Sequence, residues 1–506
     1  MGQITPVFGS IIPSQQQLLL ANNYLAFNAG ANDFVQQYLP EVYEAEVERY
    51  GNRTLNGFLR MVGAELPMTS DQVIWSEQNR LHIAYNNVTQ AGGAASATLT
   101  FVTGGATTVS NAVYPNDTIV VMNPVTGVAV KGIVGRSDNN PALTLATITA
   151  YPFQAQNWDA LTVGATNLKM FVYGSVFAKG TAQGQAQGVT GGAIAAATTV
   201  KSIQPTFTQF ANQPIIIKDS FQINGSDMAQ IGWVDVATED GTSGYLWYLK
   251  SESETRLRFD DYLEMAMVEG ELAAAAVGGA SIRFADQSVN VAGFTAAAGA
   301  SVAHGTQGLF AAVTARGNIM AGFSGGTGIS DFDQVLKNLD TQGAIEENML
   351  FLNRDLDLDF DDMLGQISAG IAGGVAYGLF ENSQDMALNL GFSGFRRGSY
   401  DFYKTSWKYL NDASTRGAVA VSGIEGVLIP AGTSTVYDQQ LGTNIRRPFL
   451  HVRYRASQTE DRRYKNWITG SAGGAYTTAL DAMQVNWLSE RCLVTQAANN
   501  FVLFQS

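Results

Sequence analysis

The chain has 506 residues, a net charge of -14, three histidines and a single cysteine. At about 150 residues per domain, this length predicts about three domains or one domain with large insertions. The lone cysteine excludes a disulfide framework and a cysteine-based zinc site, and so few histidines disfavour histidine-rich metal catalysis. The negative net charge argues against sequence-independent binding of nucleic acid, because such binding needs clustered lysine and arginine.

Charged residues are scarce throughout the chain. They make up 15% of it, against about 25% in an ordinary soluble domain. Two interpretations fit this composition. In the first, neighbouring subunits cover most of the surface, since the cores of protein interfaces are depleted in charge. In the second, the surface is that of a β-rich extracellular protein.

The first 80 residues are mixed in character, with weak helical segments around residues 32–51. The N-terminus lacks the basic residues and apolar core of a signal peptide, and Pro6 stands where a myristoylation signal needs serine or threonine. No apolar run reaches the length of a membrane-spanning helix. We therefore expect no targeting segment and no membrane contact.

Residues 90–180 change to glycine, alanine, threonine and valine. The stretch "DTIVVMNPVTGVAVKGIVG" predicts two strands around an Asn-Pro-Val-Thr-Gly turn. The segments "ALTLATITAY" and "LKMFVYGSVFAKG" continue the alternation of strands. We expect a small antiparallel β module inserted into the chain, followed by the low-complexity stretch 180–199.

Two helices are predicted after this module. Good helix formers and apolar residues at helical spacing predict one long helix over 243–277, with Gly278 and Gly279 as its stop. Ser330 and Asp333 match a capping box at the start of a second helix. The apolar face predicted for that helix comprises Phe332, Val335, Leu336 and Leu339.

The acidic stretch "DLDLDFDD", residues 355–362, is the strongest candidate for a metal site. Asp355, Asp357 and Asp359 fit the first three ligand positions of an EF-hand loop. Phe360 occupies the position of the invariant glycine, and Gln366 occupies that of the bidentate glutamate. The sequence therefore disfavours a calcium site.

An amphipathic helix explains the same stretch better. At about 100° per residue, one arc of roughly 100° holds the apolar side chains Leu356, Phe360, Met363, Leu364 and Ile367. We expect a helix with Asp355 as its N-cap, and with the other carboxylates near the positive end of its dipole. The preceding "MLFLNR" is predicted to be a buried strand.

Other candidate chemistry is sparse. "GFSGG", residues 322–326, matches the nucleophile elbow of serine hydrolases, with Ser324 as nucleophile and His451 as the only later histidine. The residues before it do not predict a buried strand, so a loop is favoured. The arginine pairs at 396–397, 446–447 and 462–463 are interpreted as ion-pair partners at contacts between subunits rather than phosphate ligands. No catalytic, cofactor or metal site is assigned.

Six segments, in the same order along the chain, resemble the major capsid proteins of tailed bacteriophages with the Hong Kong 97 fold. Overall the chain is most similar to the capsid proteins of crAss-like phages. The segment at 259–272, with Glu264 and Gly270, resembles the end of that family's long spine helix, and the segment at 488–504 resembles the last strand of its peripheral domain. The remaining four segments lie at 206–228, 305–319, 348–364 and 426–438.

The resemblance implies an α+β fold. Its expected division is an N-terminal arm (1–80), an extended loop carrying the β module (81–225), a peripheral domain with the spine helix (226–325), an axial domain (326–440) and C-terminal peripheral strands (441–506). It also implies a structural protein of the virion without enzymatic activity or cofactor, assembled in the bacterial host cytoplasm. The expected shell is icosahedral, is built of hexamers and pentamers, and encloses double-stranded DNA that the subunit does not bind tightly.

The partners implied are other copies of the chain and further head proteins, namely the portal, decoration proteins and a scaffold. Two other classes stay open from the residues themselves. One is a β-rich phage adhesin or tail protein, which would not need the helical half of the chain and usually shows repeats that are not found here. The other is a serine hydrolase acting through Ser324.

Overall fold

The computed structural model describes residues 64–78, 82–93, 95–102, 111–140, 145–153, 158–161, 165–179, 184–185, 199–200, 207–226, 235–237, 243–272, 305–323, 328–342, 345–369, 393–412, 414–418, 423–431, 433–438, 443–472 and 477–506. These residues form two compact units. The smaller unit lies within 76–209, and the larger unit combines residues before 76 with residues after 209. The helical segments expected around 32–51 lie outside the described residues.

The described elements are mixed α and β, with many strands and few helices. The helices are α1 (Leu246–Glu269), α2 (Leu309–Arg316), α3 (Gly328–Gln342), α4 (Arg354–Ala369) and α5 (Lys408–Asn411). The strands are β1 (Ala64–Met68), β2 (Val73–Gln78), β3 (Ala84–Gly93), β4 (Ser96–Val102), β5 (Asp117–Met122), β6 (Ala129–Asn140), β7 (Leu145–Pro152), β8 (Leu168–Ser175), β9 (Gly184–Gln185), β10 (Thr199–Val200), β11 (Phe207–Asn212), β12 (Ile215–Asn224), β13 (Asp235–Ala237), β14 (Ser243–Tyr245), β15 (Asn318–Ala321), β16 (Glu347–Leu352), β17 (Ser393–Arg397), β18 (Tyr400–Ser406), β19 (Ile424–Pro430), β20 (Thr433–Asp438), β21 (Thr443–Pro448), β22 (Leu450–Arg455), β23 (Lys465–Gly470), β24 (Ala482–Thr495) and β25 (Val502–Gln505).

The smaller unit contains a closed antiparallel barrel of six strands in the order β3-β4-β7-β6-β5-β8. The predicted β module is therefore present, and its strands span 84–175. The predicted turn joins β5 to β6, with the N–H of Val125 donating to Asn123 Oδ1 and with Gly127 at a φ of 72°. A type of turn that needs positive φ favours glycine at that position.

The barrel is filled by alternate residues of its strands, whose side chains point inward. Leu99, Ile119, Val121 and Ile148 are fully buried there. Trp158, in a short 3-10 helix (Trp158–Leu161), adds its ring to this core and donates from Nε1 to the carbonyl of Ala150. A Cβ on Gly132 would lie 2.7 Å from the Trp158 ring, so only glycine at position 132 leaves room for that ring.

The larger unit contains a five-stranded sheet in the order β1-β22-β24-β12, with β23 also pairing β24. β1 runs parallel to β22 at one edge, and the other pairs are antiparallel. Helix α1 packs on this sheet through Phe259 and Leu263, which meet Ile223, Val485 and Trp487. This contact explains why a helix of 24 residues is stable here, since burial of an apolar face supplies most helix stability in proteins.

The long helix is shorter than the predicted 243–277. Residues 243–245 form β14, which pairs with β13, and the helix ends at Glu269. The carbonyl of Gly270 accepts the N–H of Gly308 at 2.7 Å, and a Cβ on Gly270 would lie 2.6 Å from the carbonyl oxygen of Thr306. This close approach turns the chain at Gly270, eight residues before the predicted glycine stop.

A six-stranded sheet forms the second layer of the larger unit, in the order β15-β25-β19-β16-β18-β17. Helices α3 and α4 cover one face, where Phe332 and Phe360 pack against Phe402 and Phe504. The opposite face packs against the end of α1, α2 and α5, through side chains such as Met267, Phe310 and Trp407. The predicted buried strand "MLFLNR" is β16, in the interior of this sheet.

Helix α3 begins at Gly328, two residues before the predicted capping serine. The predicted capping box is therefore wrong, and Asp333 instead bonds Arg397 of β17. The predicted apolar face is confirmed, because Phe332, Val335 and Leu339 are buried and Leu336 packs beside them.

The C-terminal segment at 488–504 is two strands rather than one. β24 ends at Thr495 in the five-stranded sheet, and β25 lies between β15 and β19 in the six-stranded sheet. The turn between them includes Ala497 in the left-handed region, at a φ of 51°. The division of the chain into arm, loop, peripheral and axial domains stays a prediction.

Candidate functional site

The acidic stretch at 355–362 forms the first turns of helix α4. Asn353 Oδ1 accepts the N–H of Leu356 at 2.7 Å, so Asn353 caps the helix and the prediction of Asp355 as N-cap is wrong. The predicted apolar face is confirmed for Leu356, Phe360 and Met363, which are all buried. The side chains of Leu364 and Ile367 lie outside those that the structure describes.

Two aspartates of this stretch bind a buried lysine that the sequence did not single out. Lys404 Nζ, on β18, lies 2.8 Å from Asp357 Oδ1 and 2.6 Å from Asp361 Oδ1, and it donates to the carbonyl of Asp357 at 3.2 Å. The Lys404 side chain is only 5% exposed. Its position among the buried residues of an alternating strand was the available signal, because a buried lysine requires a counter-charge.

A second part of the stretch faces another carboxylate. Burial raises the pKa of Glu425, and the nearby carboxylates of Asp359 and Asp355 raise it further. Within the described residues, no group of three or more histidine, cysteine, aspartate or glutamate side chains could hold a metal ion. The acidic stretch forms the start of α4, and two of its carboxylates bind the buried Lys404.

A second charged cluster fixes the end of α1. Glu269, the last residue of the helix, receives hydrogen bonds from Tyr409 Oη at 2.5 Å and from Arg416 Nη1 at 2.5 and 2.6 Å. The Arg416 guanidinium also lies 5.0 Å from the centre of the Phe310 ring, on α2. Burial and the neighbouring Glu269 both raise the pKa of Tyr409, so the phenol stays protonated as a donor.

The paired arginines find partners within the chain. Arg397 makes a bidentate contact with Asp333, at 2.6 and 2.8 Å, and Arg396 lies 3.4 Å from Asp401. This differs from the predicted pairing between subunits, because both carboxylates belong to the same unit of the same chain. The side chains of Arg446 and Arg447 lie outside the described set.

The third arginine pair belongs to a network that holds β1 and β24 together. Arg462 Nε lies 2.6 Å from Glu490, which Arg455 also contacts at 2.7 Å. Arg463 pairs with Glu65 of β1. Because Glu490 is 9% exposed and lies between two guanidinium groups, its charge is compensated, and these contacts tie β24 to β22 and to the segment before β23.

The predicted nucleophile Ser324 lies outside the described residues, so the hydrolase hypothesis stays untested by geometry. The residues before it form β15, a four-residue edge strand with alternating exposure, and not the buried strand of a nucleophile elbow. His451 is buried in β22, with Nδ1 3.0 Å from the carbonyl of Pro448. Burial raises the pKa of the Cys492 thiol to about 12, which leaves it protonated and poorly nucleophilic.

Comparison with known proteins gives partial structural likeness only. No family model matches the sequence, and no curated protein matches it. Among solved structures, a chain titled "Mycobacterium phage Bobi" is 7% identical, with 93% of this chain and 95% of that chain covered, at a TM-score of 0.35. A chain titled "Capsid of native GTA particle" is 9% identical, with 94% and 99% covered, at a TM-score of 0.33.

A third chain, titled "Asymmetric unit of bacteriophage PhiM1 mature capsid", is 7% identical, with 65% and 79% covered, at a TM-score of 0.30. Each of these three titles names a phage or a capsid. Among the described helices, none combines the length and apolarity needed to cross a bilayer.

Proposed function

We propose that this chain is the major capsid protein of a tailed bacteriophage, with a Hong Kong 97 type of subunit most similar to those of crAss-like phages. The subunit assembles into hexamers and pentamers of an icosahedral head around double-stranded DNA. Its work is to bind further copies of itself and other head proteins (the portal, decoration proteins and a scaffold), without turnover, cofactor or tight binding of specific DNA sequences. It resides in the virion capsid and is assembled in the host cytoplasm.

One observation carries the proposal. The segments at 259–272 and 348–364 are expected to be the end of a long helix and a strand followed by a helix, and the end of α1 and the pair β16 and α4 lie at those positions. The helix lies along the five-stranded sheet, and its end is fixed against α2 and α5. A barrel is inserted between β2 and β11, where the proposal places an enlarged extended loop.

The chemistry of the clusters is consistent with a structural role. The charged side chains described above bind one another: Lys404 with two aspartates, Glu269 with Arg416 and Tyr409, and Glu490 with two arginines. Such closed sets stabilise a subunit and are not aimed at a substrate position. The domain division given under Sequence analysis, with an extended loop over 81–225 and an axial domain over 326–440, belongs to the same proposal.

Electron microscopy of the purified protein, alone and co-expressed with a scaffold, tests the proposal. We expect shells, tubes or six-fold rings. Trimeric rods, or a compact monomer that binds glycans in both preparations, would instead favour the adhesin class. Hydrolysis of a model ester that disappears in Ser324→Ala would favour the hydrolase.

A further inference from the structure

The barrel presents two outward faces of different chemistry. On β3, β4 and β7 the outward residues are threonines, which line up across the strands as Thr89, Thr100 and Thr147, with Thr98 beside Thr149. Cross-strand threonine pairs stabilise a sheet and keep its outward surface polar. The face formed by β7, β6, β5 and β8 carries aromatic and aliphatic side chains instead.

The aromatic face is defined by the strand register. Phe153 follows β7 and donates its N–H to the carbonyl of Lys131, Lys131 is opposite Val120, and Val120 is opposite Phe171. In the next row, Tyr151 is opposite Ile133, and Tyr173 lies at the bulge of β8. Residues opposite one another on neighbouring strands point to the same side of a sheet, so these side chains share one surface.

These side chains lie outside the core cluster of the barrel, and all of them except Val120, which is 7% exposed, are at least partly exposed. Phe153 and Tyr173 are each 50% exposed and Tyr151 is 47% exposed, whereas their inward neighbours Ile148 and Met170 are buried. The ring of Tyr151 lies over Gly135, where a Cβ would come within 2.3 Å of it. The ring is thus held against the sheet and forms a flat apolar surface.

The size of this face is that of a partial interface. Four strands about 4.8 Å apart, with about six residues at 3.3 Å each, give a surface of roughly 400 Å². The largest apolar patch on a typical single chain is about 300–600 Å² and is often functional, and a stable interface buries roughly 800 Å² on each partner. The face therefore suits the apolar centre of a contact that neighbouring residues complete.

Charge indicates which surface fits it. Residues 76–209 contain four acidic and six basic residues, which gives this segment a net charge of +2. Because the whole chain has a net charge of -14, the remaining residues have a net charge of -16. Lys131 stands in the centre of the aromatic face and is exposed. Arg136, opposite the outward Thr149, and Lys169, two residues before Phe171, are exposed on the same side of the barrel. Three cations are fewer than the roughly 6–10 phosphate contacts of a typical nucleic-acid binder, but they complement an acidic protein surface.

We propose that the aromatic face of the barrel docks on the acidic larger unit of a second copy of this chain. This inference rests on the proposed function, in which copies of the chain bind one another, and it names a surface that they use. Aromatic side chains would supply the buried anchors of the contact, and Lys131 would pair with a carboxylate of the second copy.

The test uses the full-length protein and three variants of the face, Phe153→Ser, Tyr173→Ser and Lys131→Glu. The matched control is Val125→Ser, which changes a side chain that is 91% exposed in the β5–β6 turn of the same barrel. Sedimentation velocity and light scattering give the protein concentration at which half of the chains assemble. Thermal melting followed by circular dichroism verifies that each variant is folded. Because Lys131 is exposed, Lys131→Glu tests the contact without altering the packing of the barrel.

We expect each face variant to raise the half-assembly concentration at least about fivefold, the factor that corresponds to about 1 kcal/mol at an interface. The control should stay at the wild-type value, and the effect of Lys131→Glu should shrink in high salt because screening weakens charge pairs. Face variants that assemble like the wild type into normal shells would overturn this inference and leave the proposed function standing. A wild-type chain that never associates would overturn both proposals. Face variants that lose binding to a glycan probe, with assembly unchanged, would show that the face binds a carbohydrate and not a second copy.

Discussion

The barrel and the larger unit are stabilised by different kinds of interior. The barrel core is largely apolar, and its buried polar side chains find partners nearby. Gln90 Nε2 donates to the carbonyl of Trp158, Asp117 Oδ2 accepts the N–H of Tyr114, and Asn111 Nδ2 donates to Ser137 Oγ. The larger unit also has apolar cores, but it buries charged side chains that meet across large sequence distances, such as Lys404 with Asp357. A buried charge must be paired, so this unit depends on particular partners where the barrel depends on volume.

This difference predicts that the two units respond to different mutations. Loss of packing volume should weaken the barrel, while loss of a single charge should weaken the larger unit. Since the chain has two units, a single free energy of unfolding is not defined for it, and local stability is best measured by hydrogen exchange.

The largest effect is expected for Trp158→Ala. This side chain is fully buried over Gly132, and truncating a buried tryptophan typically costs about 3–5 kcal/mol. Exchange protection should fall in β5 and β6 and stay unchanged in β16. Val125→Ala in the exposed turn is the control and should leave all three strands protected. Equal loss in β16 would show that the two units are not independent.

Lys404→Met should destabilise the larger unit by up to about 3 kcal/mol, because the buried Oδ1 of Asp357 loses its partner and only the exposed Arg354, 3.0 Å from Oδ2, remains as a counter-charge. The readout is exchange protection of β16 and β18. Combining it with Asp357→Leu should restore most of the loss, since a buried ion pair can be replaced by apolar side chains of similar volume. A double variant no better than the single one would mean that shape, and not charge, is required at this position.

A smaller effect is expected for Glu269→Gln, which weakens the contacts with Arg416 and Tyr409. About one third of each ion-pair side chain is exposed, so solvent screening limits the expected loss to about 1 kcal/mol. Protection should fall at the end of α1. Glu271→Gln, two residues further and exposed, is the matched control. An identical loss in both variants would contradict the role of the Glu269 cluster.

The smallest effect concerns pH. The pKa of Glu425 is raised by burial and by Asp359 and Asp355, so the folded state holds this proton more tightly than the unfolded state. The stability from this group is complete below its usual pKa and is lost as pH rises through the raised value. Glu425→Gln should therefore stabilise β19 by a few tenths of a kcal/mol at pH 7, with no gain near pH 4. A gain that persists at pH 4 would rule out ionisation as its cause.

Local patterns in the sequence predict the elements well where one face is buried. The apolar spacing of Phe332, Val335 and Leu339 gives the packed face of α3, and the alternation over 117–135 gives β5, β6 and their turn. Closure of these strands into a barrel depends on pairs such as β3 with β8, which join residues about eighty positions apart. No local pattern encodes that contact.

Boundaries and partners were the predictions that failed, and for the same physical reason. The end of α1 is decided by the close approach of Gly270 to Gly308, and the cap of α4 is Asn353 rather than the adjacent Asp355. Arg397 binds Asp333 of α3, Arg462 binds Glu490 of β24, and Arg463 binds Glu65 of β1, while Arg396 binds Asp401 of the adjacent strand β18. Tertiary contacts select among residues that are locally equivalent, so spacing alone cannot choose between them.

The position of β25 orders events during synthesis. All six strands of the barrel lie between residues 84 and 175, so the barrel can form while the ribosome is still adding the larger unit. The six-stranded sheet cannot close until residue 505 emerges, because β25 separates β15 from β19. At about 5–20 residues per second, the interval between these two events is roughly 15–70 s. Once residue 430 has emerged, β15 and β19 lack the strand that joins them until β25 follows 75 residues later, roughly 4–15 s at the same rate. That shorter interval is when a chaperone would have most to protect.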